Sequence, residues 1–266
     1  MTAGSSGHTQ LAMHSFVKRN PVKGSDRILK EAQGLELLER TLREASIGEL
    51  SVPARIAVER EQLELECVSS APPTDRLMRD LGRGLARLHA LNGPAYGLEE
   101  NNYIGLSPQK NGWSDDWGTF FVERRLGFQI ERISDSRLRQ RFEHALASYR
   151  AALIAMLNRH VDAPALVHGD LWSGNVLFDS QRVWLIDPAV YYADPEVDLA
   201  MSEMFGGFSP AFYAAYQEVR PLSSIYPFKR RIYNLYHYLN HYNLFGSSYL
   251  PGCEEGLAAL DETLHC

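Results

Sequence analysis

Apolar residues recur at helical spacing in four long stretches, and short β-prone runs fill much of the chain between them. Asp26 to Arg43 carries Leu29, Ala32, Leu35, Leu37 and Leu38 on one face, which predicts an amphipathic helix. Thr74 caps a second helix reaching about Leu91, whose Leu77, Leu81, Leu85 and Leu88 step by four and three residues toward a core. Ser134 to Arg159 and the aromatic segment Tyr226 to Tyr242 read as two further helices, and Asp194 caps a shorter one through Ala200. Strands are predicted at Ser15 to Asn20, Pro53 to Val58 and Gln62 to Val68, and Ala71-Pro72-Pro73 then breaks the pattern. The fold class is therefore α+β with two lobes, a small β-rich lobe over residues 1–70 and a larger, mainly helical one over 71–266. Glu66-Cys67-Val68 falls at the hinge between them, where backbone groups of Glu66 and Val68 are candidates to pair with a bound cofactor.

Farther along, Val176 to Phe178 and Val183 to Ile186 are separated by Asp179-Ser180-Gln181-Arg182, the pattern of a hairpin. That hairpin folds Asp187 back beside Asn175. The sequence His168-Gly169-Asp170-Leu171-Trp172-Ser173-Gly174-Asn175 then brings three polar groups to one point. Asp170 and Asn175 stand five apart, as do the base and the metal-binding Asn of the kinase catalytic loop, and Asp187 takes the place of the following metal-binding Asp. Phosphoryl transfer follows as the leading chemistry. Asp170 accepts the proton of a substrate hydroxyl, while Asn175 and Asp187 offer the hard oxygen ligands that Mg²⁺ prefers. His168 is read as a brace for the loop and Asp198 as a support pointing back toward it, neither as the base.

A phosphate clamp is expected upstream. Lys18 lies on the first predicted strand and Glu31 in the first turns of the next helix, which suits an ion pair holding Lys18 against nucleotide phosphates. Glu99 to Trp117 reads as a loop rich in Asn, Gly and Pro, yet it carries Tyr103, Trp113 and Trp117, groups suited to a substrate wall. In the helix that follows, Trp117, Phe121, Arg125 and Gln129 fall four apart. Such a stripe either presents a cation and an amide beside aromatic surface or packs into the core, and periodicity favours the core. Trp117 and Arg125 stand as substrate-contact candidates beside Trp172.

Composition narrows the partners. The 266 residues hold 27 Lys and Arg against 33 Asp and Glu, a net charge of −6 that supplies no field for nucleic acid. No apolar run of eighteen residues and no basic-plus-apolar leader occurs, so neither a membrane partner nor secretion is expected and the cytoplasm is the predicted location. Cys67, Cys253 and Cys266 lack C-x-x-C spacing, which argues against a zinc cluster or a disulfide framework. His237 and His241, four apart with no third ligand nearby, read as packing histidines.

Val167 to Asn175, Asn102-Tyr103-Ile104-Gly105, Pro108-Gln109-Lys110-Asn111, Trp117-Gly118-Thr119-Phe120-Phe121 and Met204-Phe205-Gly206-Gly207-Phe208 together resemble the fructosamine kinase family, also called ketosamine-3-kinases. The resemblance spans Phe16 to the C-terminus. It implies a bilobal protein-kinase-like fold, ATP and Mg²⁺ as cofactors, and phosphorylation of the sugar 3-hydroxyl in small-molecule ketosamines or glycated proteins, a deglycation repair. By the same matching Asp170 is the base, Asn175 and Asp187 hold the metal, Lys18 and Glu31 form the clamp, and Trp172 packs against the sugar. The alternatives are a kinase of another small hydroxylated amine, of aminoglycoside or choline type, and a non-catalytic binding protein on a kinase scaffold. The family places a strand, a Gly-rich phosphate loop and a second strand before the Lys-bearing strand. Only seventeen residues precede Lys18, so the expectation is that this hairpin is absent and that Gly4 to Gly7 form a turn rather than a phosphate loop.

Overall fold

The computed structural model describes residues 15–264, so Gly4 to Gly7 lie outside the described residues. Strand β1 (Ser15–Arg19) runs antiparallel to β4 (Gln62–Glu66), which pairs on its other side with β3 (Arg55–Val58). The register sets Lys18 opposite Leu63. Helix α1 (Arg27–Glu44) buries Ile28, Ala32, Leu35, Leu38 and Leu42 at three- and four-residue steps. A two-residue strand β2 (Leu50–Ser51) leaves this sheet and pairs in parallel with a strand far along the chain.

Helix α2 (Asp75–His89) starts as the sequence predicts, with the Thr74 hydroxyl accepting from the Leu77 N–H at 3.3 Å. The expected loop after it contains a hairpin, β5 (Asn102–Ile104) with β6 (Ser107–Gln109), Tyr103 opposite Pro108. Gly105 sits at its tip with a φ of +55°, a conformation that glycine adopts without steric cost. Helix α3 (Trp117–Phe120) continues through a π-helical turn at Phe121–Gly127 into α4 (Phe128–Glu131), and α5 (Ser136–Arg159) follows. Strands β7 (Ala165–Val167), β8 (Val176–Phe178) and β9 (Val183–Leu185) bracket the H-G-D segment, and β10 (Tyr191–Ala193) pairs back onto β7. Val176 pairs with Leu185 and Phe178 with Val183, the hairpin register that the sequence implies. Its turn is held by Asp179, whose side chain accepts from the N–H groups of Gln181 and Arg182. Helices α6 (Glu196–Met204), α7 (Pro210–Val219), α8 (Tyr226–Phe245) and α9 (Leu250–Leu264) complete the larger lobe.

One buried cluster contains Leu35 and Leu63 from before residue 70 together with Leu81, Leu166 and Leu185 from after it. The two predicted lobes thus share apolar packing, and β2 extends the β8–β9 hairpin into a three-stranded sheet across the same line. A second cluster, around Trp117, Phe142, Tyr233 and Leu239, fills the far end of the larger lobe. Among the described residues no helix is long and apolar enough to cross a membrane.

Candidate active site

Asp198 organises the His168-Gly169-Asp170 segment. Its carboxylate is 1% exposed and accepts from the His168 N–H at 2.7 Å and the Gly169 N–H at 2.9 Å, while the His89 ring lies at 3.2 Å. These bonds outweigh the cost of burial and hold the carboxyl below its ordinary pKa. His89 is itself oriented by the Tyr216 hydroxyl at 2.9 Å. Residue 169 is a glycine for a steric reason. Its φ is +81°, and a Cβ there would stand 2.2 Å from the Ala189 carbonyl oxygen.

His168 occupies a bracing position. Its Nε2–H donates to the Ile186 carbonyl at 2.9 Å and its Nδ1 accepts from the Asp170 N–H at 3.3 Å, so one neutral tautomer satisfies both ring nitrogens. Burial lowers its pKa, which keeps that tautomer uncharged. The ring thereby ties the loop before Asp170 to the residue preceding Asp187.

Asn175 closes the loop. Its side-chain nitrogen donates to the Asp170 backbone carbonyl at 2.8 Å and to the Asp170 carboxylate at 3.0 Å, and its backbone carbonyl accepts from the Ile186 N–H. Asp187 follows with a φ of +52°, a left-handed conformation that Asp tolerates better than most residues. Lys18 reaches the site from β1, its ammonium 2.8 Å from Asp187 and 2.8 Å from Glu31. Burial opposes the Lys18 charge, but the two carboxylates prevail and raise its pKa. Asp170 is different. Burial, with Asp187 and Asp198 nearby, outweighs the Asn175 bond and pushes its carboxyl up to about 7.

Lys18, Glu31, Asp170, Trp172, Asn175 and Asp187 line one cavity of about 320 Å³, joined there by Arg27, Lys30 and the β5–β6 hairpin. The donor set suits a hard divalent cation. Asn175 spends its amide N–H groups on Asp170 and so offers the carbonyl oxygen, and Asp187 adds a carboxylate. Mg²⁺ is held by one or two such ligands with phosphate and water rather than by a protein cage. Accordingly, the described residues contain no group of three His, Cys, Asp or Glu able to hold a metal by themselves.

Two substrate-contact candidates require correction, both toward the core that the periodicity of their stripe favours. Trp117 is fully buried and donates its indole N–H to the Tyr233 hydroxyl at 3.0 Å, so it forms core rather than a substrate wall. Arg125 is also fully buried. Its guanidinium lies 4.0 Å from the centre of the Tyr191 ring and bonds the Lys110 carbonyl and the Asn111 side chain, which leaves it no path to a substrate. Glu66 and Val68 lie outside the cavity, Val68 beyond the end of β4, and the Glu66 N–H is taken by the Ala54 carbonyl. Any adenine contact at the hinge therefore requires groups other than that N–H.

Buried Arg125 reveals what the N-Y-I-G and P-Q-x-N segments do. Asn111 donates to Asn102, Gln109 donates to Asn102 and to the Ala189 carbonyl, and Asn102 donates to the Val190 carbonyl, all within 3.0 Å. This amide network fastens the β5–β6 hairpin to the chain just past Asp187. At its other side the hairpin meets the start of α1: the Tyr103 hydroxyl donates to Asp26 at 2.7 Å, Arg27 bonds the Gly105 carbonyl, and Lys30 pairs with Glu100. Tyr103, a substrate-wall candidate from the sequence, does line the cavity, whereas Arg27, Lys30 and Asn102 were not singled out as cavity residues. The Asn and Gln clustering of residues 101–111 was the one available signal.

Comparison with known proteins points to one family. A sequence model of the fructosamine kinase family matches residues 7–262. A probable ketoamine kinase of Synechocystis sp. is 39% identical over 260 residues, covering 91% of this chain and 81% of that protein. The chloroplastic protein-ribulosamine 3-kinase of Arabidopsis thaliana is 38% identical over 246 residues, 88% and 72% of the two chains. Among solved structures, a Thermobifida fusca protein assigned as a fructosamine-3-kinase superposes with a TM-score of 0.80 at 28% identity, over 94% of this chain and 86% of that one.

Proposed function

The chain belongs to the fructosamine kinase family, and from that we propose that it transfers the γ-phosphoryl group of ATP to the 3-hydroxyl of ketosamines, fructosamine or ribulosamine adducts of amines and lysine side chains. The observation that carries the reading is the single cavity holding Asp170, Asn175, Asp187 and Lys18. Its walls come from a protein-kinase-like fold. The Asp170 carboxylate orients the sugar hydroxyl and takes its proton as the oxygen attacks phosphorus. Asn175 fixes the direction of that carboxylate through its N–H bond. Lys18, held by Glu31, places a positive charge where nucleotide phosphates sit. Asn175 and Asp187 are the residues that would hold Mg²⁺, which when bound neutralises charge gathering on the transferred phosphoryl oxygens. Trp172 lines the cavity two residues past Asp170, and its ring packs against Gly174, where a Cβ would stand 2.2 Å from it. That placement offers an aromatic face to the sugar.

The product is a ketosamine 3-phosphate, whose breakdown frees the amine and so reverses glycation. Incubating the protein with ATP, Mg²⁺ and a fructosamine or ribulosamine of a simple amine, and following the phosphorus resonance of the product, tests the proposal. Growth of a sugar 3-phosphate signal is expected. Phosphorylation of choline or an aminoglycoside with both ketosamines inert would replace the substrate class.

A further inference from the structure

The Met204 to Phe208 segment has no role in phosphoryl transfer as described above, yet it is pressed against the catalytic loop. Gly206 and Gly207 take φ values of +70° and +96°, and a Cβ on Gly207 would lie 2.5 Å from the Ser173 side chain. This close seat brings Phe205 to Trp172, their ring centres 6.0 Å apart and edge to face. The row continues. Phe205 lies 5.5 Å from the His241 ring, which lies 5.6 Å from Phe245 and 4.9 Å from Tyr249. Trp172, Phe205 and Phe245 are 37%, 46% and 61% exposed, so an aromatic strip starts at the cavity wall and runs outward over α8. Exposed apolar surface contiguous with a site is a mark of ligand contact.

We propose that this strip is the subsite for the amine-bearing part of the substrate and that it favours ketosamines of aromatic or bulky apolar amines. The inference rests on the ketosamine reading and adds to it where the amine lies. Charge argues for the direction. A ketosamine carries a secondary amine that is cationic near neutral pH; Arg27 on the α1 wall of the cavity repels it, while Lys30 is paired with Glu100 and Lys18 with Glu31 and Asp187. The Trp172 and Phe205 faces attract it. His241 donates its Nδ1–H to the His237 carbonyl at 2.7 Å, and burial lowers its pKa, so it adds a neutral ring rather than a competing cation. With the sugar 3-hydroxyl at Asp170, the amine substituent then extends along the rings.

The test compares two adducts of one sugar, those of methylamine and of phenylethylamine, as kcat/KM in the wild type and in Phe205→Ala, Phe245→Ala and Tyr249→Ala. The wild type should prefer the phenylethylamine adduct, and that preference should fall roughly fivefold for each ring removed, the worth of one aromatic contact. Free phenylethylamine should also inhibit the wild type competitively against the adduct, and inhibit Phe205→Ala more weakly. Phosphorylation of both adducts with the same preference in all four proteins overturns the subsite alone. Failure of the wild type to phosphorylate either adduct overturns the ketosamine reading beneath it. A dimer in sedimentation that Phe245→Ala dissolves assigns the strip to a second copy and equally overturns the proposal.

Discussion

Asp170 hangs on a loop whose anchor, Asp198, is 1% exposed and bonded to two backbone N–H groups, whereas Lys18 reaches Asp187 and Glu31 from an outer strand of the described sheet with 26% of its side chain open to solvent. Asp170 is thus placed by a desolvated network in the core of the larger lobe. Lys18 is placed by charge across a cleft. Buried, fully satisfied carboxylates resist displacement because each broken bond strands a polar group away from water, while part-exposed ion pairs are screened and re-form easily. The cavity therefore has one fixed side and one adjustable side. The β5–β6 hairpin bridges them, gripping the chain after Asp187 through amides and the start of α1 through Tyr103.

Substitutions that separate chemistry from stability sharpen this contrast. Asp170→Asn should lower phosphorylation by about 10³-fold while leaving the unfolding midpoint near that of the wild type, as steady-state kinetics and urea titration would show. Near-normal turnover would remove Asp170 from the mechanism. Asp198→Ala should cost about 3–5 kcal/mol in urea unfolding, since it strands the N–H groups of residues 168 and 169 and the His89 ring. If the protein keeps its stability, the core-anchor side of the comparison fails. Lys18→Met should reduce kcat/KM for ATP by about 10²-fold yet change stability by less than about 1 kcal/mol, with Glu31→Gln milder on both measures. An unfolding penalty as large as that of Asp198→Ala would erase the distinction between the two sides.

The smallest effect is one of pH. His237 on α8 is buried with its Nδ1 unpartnered, and burial, aided by His241 and Arg125 against Asp198, lowers its pKa to about 3. A depressed folded pKa means that the unfolded chain takes up the proton first, so this contribution to stability is complete above the ordinary value of 6.5 and is lost as pH falls toward 3. The expected slope is about 1 kcal/mol per pH unit below 6.5. His237→Phe should flatten it in urea titrations at pH 7 and 5.5; an unchanged slope would show that His237 does not carry it.

Much of the site was legible along the chain because its parts are local. A turn of four polar residues between two β-prone runs has few ways to fold, and it returns Asp187 to within a bond of the Asn175 backbone. Likewise Lys18 and Glu31 fall on a strand and the helix after it, with the expected partners at 2.8 Å. The stripe through Arg125 was not legible in the same way. Charge suggested a rim and spacing suggested a core, and both patterns use the same residues. The hairpin within residues 99–117 was hidden because its strands are three residues each and are secured by side-chain amides rather than by an apolar alternation.

Sequence alone determined the α+β order of elements, the α1 and α2 core faces and the spacing of Asp170, Asn175 and Asp187, since each is fixed by backbone geometry over a few turns or one hairpin. Tertiary structure alone decided that Arg125 is a buried brace over Tyr191, that Trp117 answers to Tyr233, and that Phe205 stands beside Trp172. Those outcomes depend on neighbours tens to more than a hundred residues away, and burial of a side chain is a property of what packs against it, which no local pattern contains.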